Sequence, residues 1–257
     1  HDRLIDFDRV ANFRDFGGYQ TADGSRVARG LLYRSAAFHS ASEADIARLE
    51  ALGVRFLVDL RRPEERAHEP NRWPGENLRS IANDEGGAAG LPPHLMALMQ
   101  SDLTADSVAR FMRDLYRGFA FEPRHVALYR SWFHELAQGG PGVIHCAAGK
   151  DRTGLGCALT LLALGVGEDD VFADYLFTNE AVDVEERLPR IQAQIEERLS
   201  RKLDAAALRP MLRVAPDYLR GALDEVESQC GSVDAYLESV LGVGAPERKI
   251  LRQLLLA

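Results

Sequence analysis

The chain has 257 residues with 46% hydrophobic content, enough to bury a substantial core, and no tandem repeat or low-complexity tract divides it. Its net charge of −8 speaks against a nucleic-acid binder or an anionic-membrane binder, so any attraction for phosphates has to be local. Three scattered cysteines exclude a disulfide framework, and no apolar run approaches the roughly 18 residues of a membrane span.

In chain order, Arg29 to Arg34 reads as a short strand. Ser40-x-x-Glu43 reads as a capping box that opens a helix ending before Gly53. Val54 to Leu60 is a continuous apolar strand, and another short strand is expected near Leu78–Ile81. The Gly-rich stretch Ala82 to Gly90 reads as mobile and precedes three helices, around Pro92–Gln100, Ser107–Arg117 and Arg124–Gln138. Met96 and Met99, beside Leu95 and Leu98, fit either core packing or an apolar lid face. Val143–Ile144 ends a buried strand, and Thr153 to Leu164 is an apolar helix. Further helices are expected at about 168–178, 180–202, 215–229, 232–241 and 246–256. Segment 180–202 is dense in Glu and Arg, which reads as a solvated face with i,i+4 pairs. Buried strands separated by helices predict an α/β fold, a mainly parallel sheet flanked by helices, with ligands beyond the carboxyl ends of the strands.

The segment His145-Cys146-Ala147-Ala148-Gly149-Lys150-Asp151-Arg152-Thr153-Gly154 sits between strand and helix. Backbone N–H groups at such a junction converge on an anion, and the helix dipole adds partial positive charge. Cys146 at the floor of that cradle suits a thiolate nucleophile, and Arg152 can fork onto two phosphoryl oxygens. A Walker-type loop fails, because Gly142 lies seven positions before Gly149 and Lys150 is followed by Asp151. A zinc site fails too, since Cys157 and Cys230 offer no ligand spacing, so no metal is expected. A core cysteine before a turn would not explain three consecutive charges, Lys150, Asp151 and Arg152.

These residues carry a resemblance. H-C-x-x-G-K-x-R-T-G resembles the signature loop of cysteine-dependent protein tyrosine phosphatases, in the form shared with dual-specificity and lipid phosphatases. Asn12 to Tyr19, Arg29 to Ser35, Val58 to Arg61, and the runs Ala215–Leu219 and Gly231–Leu237 are similar to the bacterial tyrosine/serine phosphatase family. The likeness spans nearly the whole chain and is weakest at about 80–125. It implies a protein tyrosine phosphatase-like fold in one phosphatase domain, 1–257, with a lid-like helical segment at about 82–125 and C-terminal helices at 168–257. It implies no cofactor, and phosphorylated proteins or phosphoinositides as substrates.

The expected reaction is a two-step displacement. Cys146 attacks phosphorus, while Arg152 and the amides of residues 147 to 152, including Ala147, Ala148, Gly149 and Lys150, hold the oxygens. Thr153 donates its hydroxyl to the sulfur, and His145 orders the loop backbone. Asp59 and Arg61 end a strand at the same rim, either touching substrate or forming an ion pair that braces the loop. Two carboxylates compete as proton donor: Asp151, associated with catalysis in the resembling family, and Asp84, on a mobile loop as is usual in the superfamily. Lys150 either adds charge for phosphoinositides or balances Asp151. A thiol redox or sulfur-transfer enzyme with Cys157 as resolving thiol, and a non-catalytic phosphate-binding module, are the alternatives. A catalytic thiol and the lack of a leader-like start suggest the cytoplasm, with secretion left open by a start that processing would also produce.

Overall fold

The computed structural model describes residues 2–73, 78–85, 102 and 104–257. Among them, β1 (Arg14–Asp15), β2 (Leu32–Ser35), β3 (Phe56–Asp59), β4 (Arg79–Ile81) and β5 (Gly142–His145) form one five-stranded sheet in the order β1-β2-β5-β3-β4. Every pairing is parallel except that of β1 with β2, so the mainly parallel α/β architecture is the one the sequence predicts. No helix among the described residues is long and apolar enough to cross a membrane.

Strands β2, β5 and β3 are buried on both faces and their side chains alternate between the faces, whereas the edge strand β4 is largely exposed. Leu32, Phe56, Val58 and Ile144 point into a large core with Trp132, Tyr129 and Leu155, whereas Tyr33, Leu57 and Val143 join Phe13, Phe38 and Trp73 on the other side. Burial on two faces is why these strands read as unbroken apolar runs. The register aligns Ser35, His145 and Asp59 in one row, so β2, β5 and β3 end together and the residues after them share a rim.

Helix α1 (Glu43–Ala51) begins two residues later than the sequence suggests. Ser42, not Ser40, is its N-cap, closing a box with Asp45, while Ser40 donates to Arg9 O. Asp45 wins the role because its buried carboxylate also accepts the Asp8 and Arg9 amides, at 2.7 and 3.0 Å. The strand expected from Arg29 starts at Leu32, because Gly30 turns at φ 80° with its N–H held by Asp15.

Helix α2 (Pro63–His68) follows β3, and α3 (Ala105–Phe119) and α4 (Pro123–Leu136) match two expected helices. The expected helix at Pro92–Gln100, its Met96 and Met99, and the part of the Gly-rich stretch at 86–90 lie outside the described residues. Helix α5 (Asp151–Leu164) packs against the sheet closely enough that a Cβ at Gly156 would lie 2.8 Å from Ile144. Beyond it come α6 (Glu168–Leu176), α7 (Thr178–Ala181), α8 (Val184–Leu199), α9 (Ala205–Leu212), α10 (Pro216–Cys230), α11 (Val233–Ser239) and α12 (Ala245–Leu255). The single helix expected at 180–202 is therefore two, divided where Asp183 caps α8 by accepting the Glu186 amide. Helix α9 was hidden by Pro210, which falls in its last turn, and is started by Asp204. Both α9 and α10 pack on α3.

Candidate active site

The loop between β5 and α5 turns its carbonyls outward. Cys146 O accepts from His145 Nδ1 at 3.1 Å, Ala147 O from the Ala37 amide at 3.1 Å, and Ala148 O from Asn12 Nδ2 at 3.1 Å. Gly149 O accepts from Asn12 Nδ2 at 2.9 Å and from Arg34 at 3.0 Å. With the oxygens so occupied, the amides of residues 147 to 152 donate to no group among the described residues. Unmet N–H donors at the N-terminus of a helix are the kind of group that an anion satisfies. Gly149 makes the turn possible: its φ is +64°, and a Cβ there would lie 2.3 Å from Ser35 O.

Cys146 lies buried at the head of this loop, and Arg152 on the first turn of α5. Arg152 forks onto Glu65 with N···O distances of 2.7 and 2.8 Å, and also donates to Leu60 O at 3.1 Å. Burial opposes the ionised form of Glu65, but the Arg152 fork and the Arg62 amide pull its pKa down to about 2. Burial likewise opposes the Arg152 charge, yet Glu65 and Cys146 hold its pKa above the ordinary value. The Tyr129 hydroxyl donates to Arg152 O at 2.7 Å and ties the helix start to α4. Glu65 was missed in the sequence, although a Glu two residues after the Pro63 helix start is a recognisable first-turn signal.

Asp59 and Arg61 face each other. Arg61 donates to Asp59 through Nε at 3.0 Å and a terminal nitrogen at 2.8 Å, and also to Glu69 O. His145 Nε2 lies 3.4 Å from the same carboxylate and 3.2 Å from Asn71, so its two nitrogens join the Cys146 carbonyl to the end of β3. Burial resists ionisation of Asp59, but His145 and Arg61 hold its pKa far below the usual carboxylate range. The geometry is that of a brace beneath the loop.

A second buried network lies on the β2 side. Arg34 pairs with Asp174 at 2.5 Å and Arg14 with the same carboxylate at 3.3 Å, while Arg14 also donates to Asn12. Burial, then the neighbouring Arg34, lowers the Arg14 pKa to about 10. Two guanidinium groups against one carboxylate leave excess positive charge behind the cradle. Asn12, Arg14 and Arg34 stand in segments that carry the family resemblance, but nothing in the sequence links them to Asp174.

The Lys150–Asp151 end of the loop is held from elsewhere. Lys150 Nζ is buried, donating to Met211 O at 2.5 Å and Arg213 O at 3.3 Å, and lies 3.2 Å from Asp151 Oδ1. Asp151 Oδ1 also accepts from the Tyr116 hydroxyl at 2.5 Å. Thr153 Oγ1 is buried and makes no hydrogen bond among the described residues, so it is an unengaged donor at the first turn of α5. Asp84 follows β4 and is not part of the loop: its side chain is 88% exposed and pairs with Arg66, which also holds Arg61 O. Cys157 is fully buried, and burial pushes its pKa up to about 12, which disfavours a resolving thiolate. Among the described residues, no group of three or more His, Cys, Asp or Glu side chains is placed to hold a metal.

A sequence profile described as the tyrosine phosphatase family matches residues 5–257. A Cupriavidus necator protein named a "putative tyrosine-protein phosphatase" is 36% identical over 248 residues, covering 95% of this chain and 85% of its own length. The triple specificity protein phosphatase PtpB of Mycobacterium tuberculosis is 30% identical over 260 residues, covering 88% of this chain and 90% of its own. The crystal structure of P. aeruginosa TpbA aligns with a TM-score of 0.32 and 20% identity, over 76% of this chain and 96% of that one. With a profile that covers nearly every residue and a relative 36% identical over 95% of the chain, the chain belongs to the tyrosine phosphatase family.

Proposed function

We propose that this phosphatase hydrolyses phosphotyrosine, and also phosphoserine/threonine or phosphoinositides, through a cysteinyl-phosphate intermediate in a single domain. The observation that carries the reading is the loop: the amides from 147 to 152, which follow Cys146, are unmet among the described residues, and Arg152 is preset by Glu65. Cys146 Sγ attacks phosphorus as the ester P–O bond breaks, and the leaving oxygen takes a proton from Asp151. Water then attacks phosphorus, the S–P electron pair returns to Sγ with Thr153 as donor, and the water proton passes to Asp151. Asp151 is preferred to Asp84 because it lies within the loop, whereas Asp84 is an exposed partner of Arg66.

Asp59, Arg61 and His145 act as braces in this reading, and Ala147, Ala148, Gly149 and Lys150 offer their amides to the phosphate. The Lys150 ammonium reaches a phosphoinositide only by leaving Met211 O. Three free cysteines and a nucleophilic thiol suit a reducing compartment, the cytoplasm.

The test is turnover of a phosphotyrosine peptide by wild type and Cys146→Ser, with mass spectrometry of acid-quenched protein. A phosphoryl group on Cys146 in wild type and loss of turnover in the variant support the mechanism. Retained turnover in Cys146→Ser overturns it. A panel of phosphopeptides and phosphoinositides settles the substrate range.

A further inference from the structure

Two tyrosines that the mechanism does not use end on Asp151. The Tyr175 hydroxyl, from α6, donates to the Tyr116 hydroxyl, from α3, at 2.8 Å. Tyr116 in turn donates to Asp151 Oδ1 at 2.5 Å. Both rings are fully buried, and Tyr175 is packed so tightly on α5 that a Cβ at Gly154 would lie 2.9 Å from it. Burial first, and the Asp151 charge next, raise the Tyr116 and Tyr175 pKa values well above the ordinary phenol range. Each hydroxyl therefore keeps its proton, and the chain of donation runs one way, toward Asp151.

Lys150 Nζ also lies 3.2 Å from Oδ1, so that oxygen faces two donors, whereas Oδ2 accepts from no group among the described residues. The charged and titratable groups around the carboxylate are Lys150 and Arg152 on its own loop, Tyr116 from α3, Tyr175 from α6 and Tyr218 from α10. We propose that Tyr116, backed by Tyr175, is a positioning residue that pins Asp151 through Oδ1 and makes Oδ2 the oxygen that exchanges its proton. This rests on the assignment of Asp151 as proton donor. In the first step Oδ2–H passes its proton to the ester oxygen as the P–O electron pair moves onto that oxygen. In the second, Oδ2 takes the proton of the attacking water as the S–P pair returns to Cys146.

The experiment is the pH dependence of kcat and kcat/KM on a phosphotyrosine peptide for wild type, Tyr116→Phe, Tyr175→Phe, Asp151→Asn and the Tyr116→Phe/Asp151→Asn double variant. Losing a donor to a carboxylate favours its protonated form, so Tyr116→Phe moves the basic limb, absent in Asp151→Asn, up by about one pH unit. It also lowers plateau kcat about tenfold with KM within about twofold, because the proton is less well aimed. Tyr175→Phe shifts the limb in the same direction by less. The double variant is no slower than Asp151→Asn within about twofold. Tyr236→Phe, whose hydroxyl donates to Ala120 O away from the loop, keeps the wild-type profile.

An unmoved limb in Tyr116→Phe, or losses that multiply with Asp151→Asn, overturns the proposal. If Tyr116→Phe does not fold, Tyr175→Phe carries the test, and an unmoved limb there overturns it as well. Retained turnover by Cys146→Ser would instead sink the phosphatase mechanism, so the two failures are distinguishable.

Discussion

Two pairs of residues in the loop from Cys146 to Arg152 are held by different chemistry. Around Cys146 and Arg152 the partners are charged and come from β3 and the segment that follows it: Glu65 of α2 on Arg152, and Asp59 with Arg61 beside His145. Lys150 and Asp151, which lie between them and face each other, have neutral partners from beyond the loop: the Tyr116 hydroxyl and the carbonyls of Met211 and Arg213. Buried ion pairs with satisfied hydrogen bonds resist rearrangement, because removing one partner strands the other charge. Hydroxyl and carbonyl contacts cost less to change. Cys146 and Arg152 are therefore the more rigidly held pair, and Lys150 and Asp151 the more easily altered one.

Substitutions of graded severity can break this contrast. Cys146→Ser is expected to have the largest effect, a loss of turnover on the order of 10³-fold or more, measured by phosphate release. Glu65→Gln comes next: without the ionised carboxylate to orient Arg152, kcat/KM falls about 10²-fold. Glu65 also links the site to stability. Its folded pKa, about 2, lies below the ordinary 4.5, so its contribution is complete above about 4.5 and is lost as pH falls toward 2. Chemical denaturation of wild type and Glu65→Gln should show a stability gap that is constant at neutral pH and closes over that acidic window. A gap that persists at pH 2 would remove Glu65 from the brace.

Gly149→Ala, at a positive φ and against Ser35 O, is expected to destabilise by at least about 2 kcal/mol, read from the denaturation midpoint. Lys150→Met, in the pair with neutral partners beyond the loop, has the smallest effect on phosphotyrosine peptide, within about threefold in kcat. A Lys150→Met loss as large as that of Glu65→Gln would erase the distinction between the two pairs.

Legibility in the sequence divides along the same line. Cys146, Arg152 and the loop between strand and helix could be read directly, because a local motif places thiol, amides and guanidinium within ten residues. Asp59 and Arg61 could be placed at the rim from the ends of two strands, but whether they brace or bind became visible only once Arg61 was seen on Asp59 and Glu69 O. Lys150 and Asp151 stayed ambiguous, since their partners lie 35 and 61 residues away. The cap at Ser42 and helix α9 were misjudged for a related reason. In each, a tertiary contact or a tolerated proline overrode the local pattern.

What the sequence determined by itself is what short-range chemistry encodes: buried strands from apolar runs, most helices from their periodicity, and one loop that joins a strand to a helix N-terminus. What only the tertiary structure decided is which distant charges and hydroxyls meet that loop. Arg14, Arg34 and Asp174 converge behind it, and Tyr175 and Tyr116 converge on Asp151, because sheet register and helix packing bring together residues that no spacing rule connects.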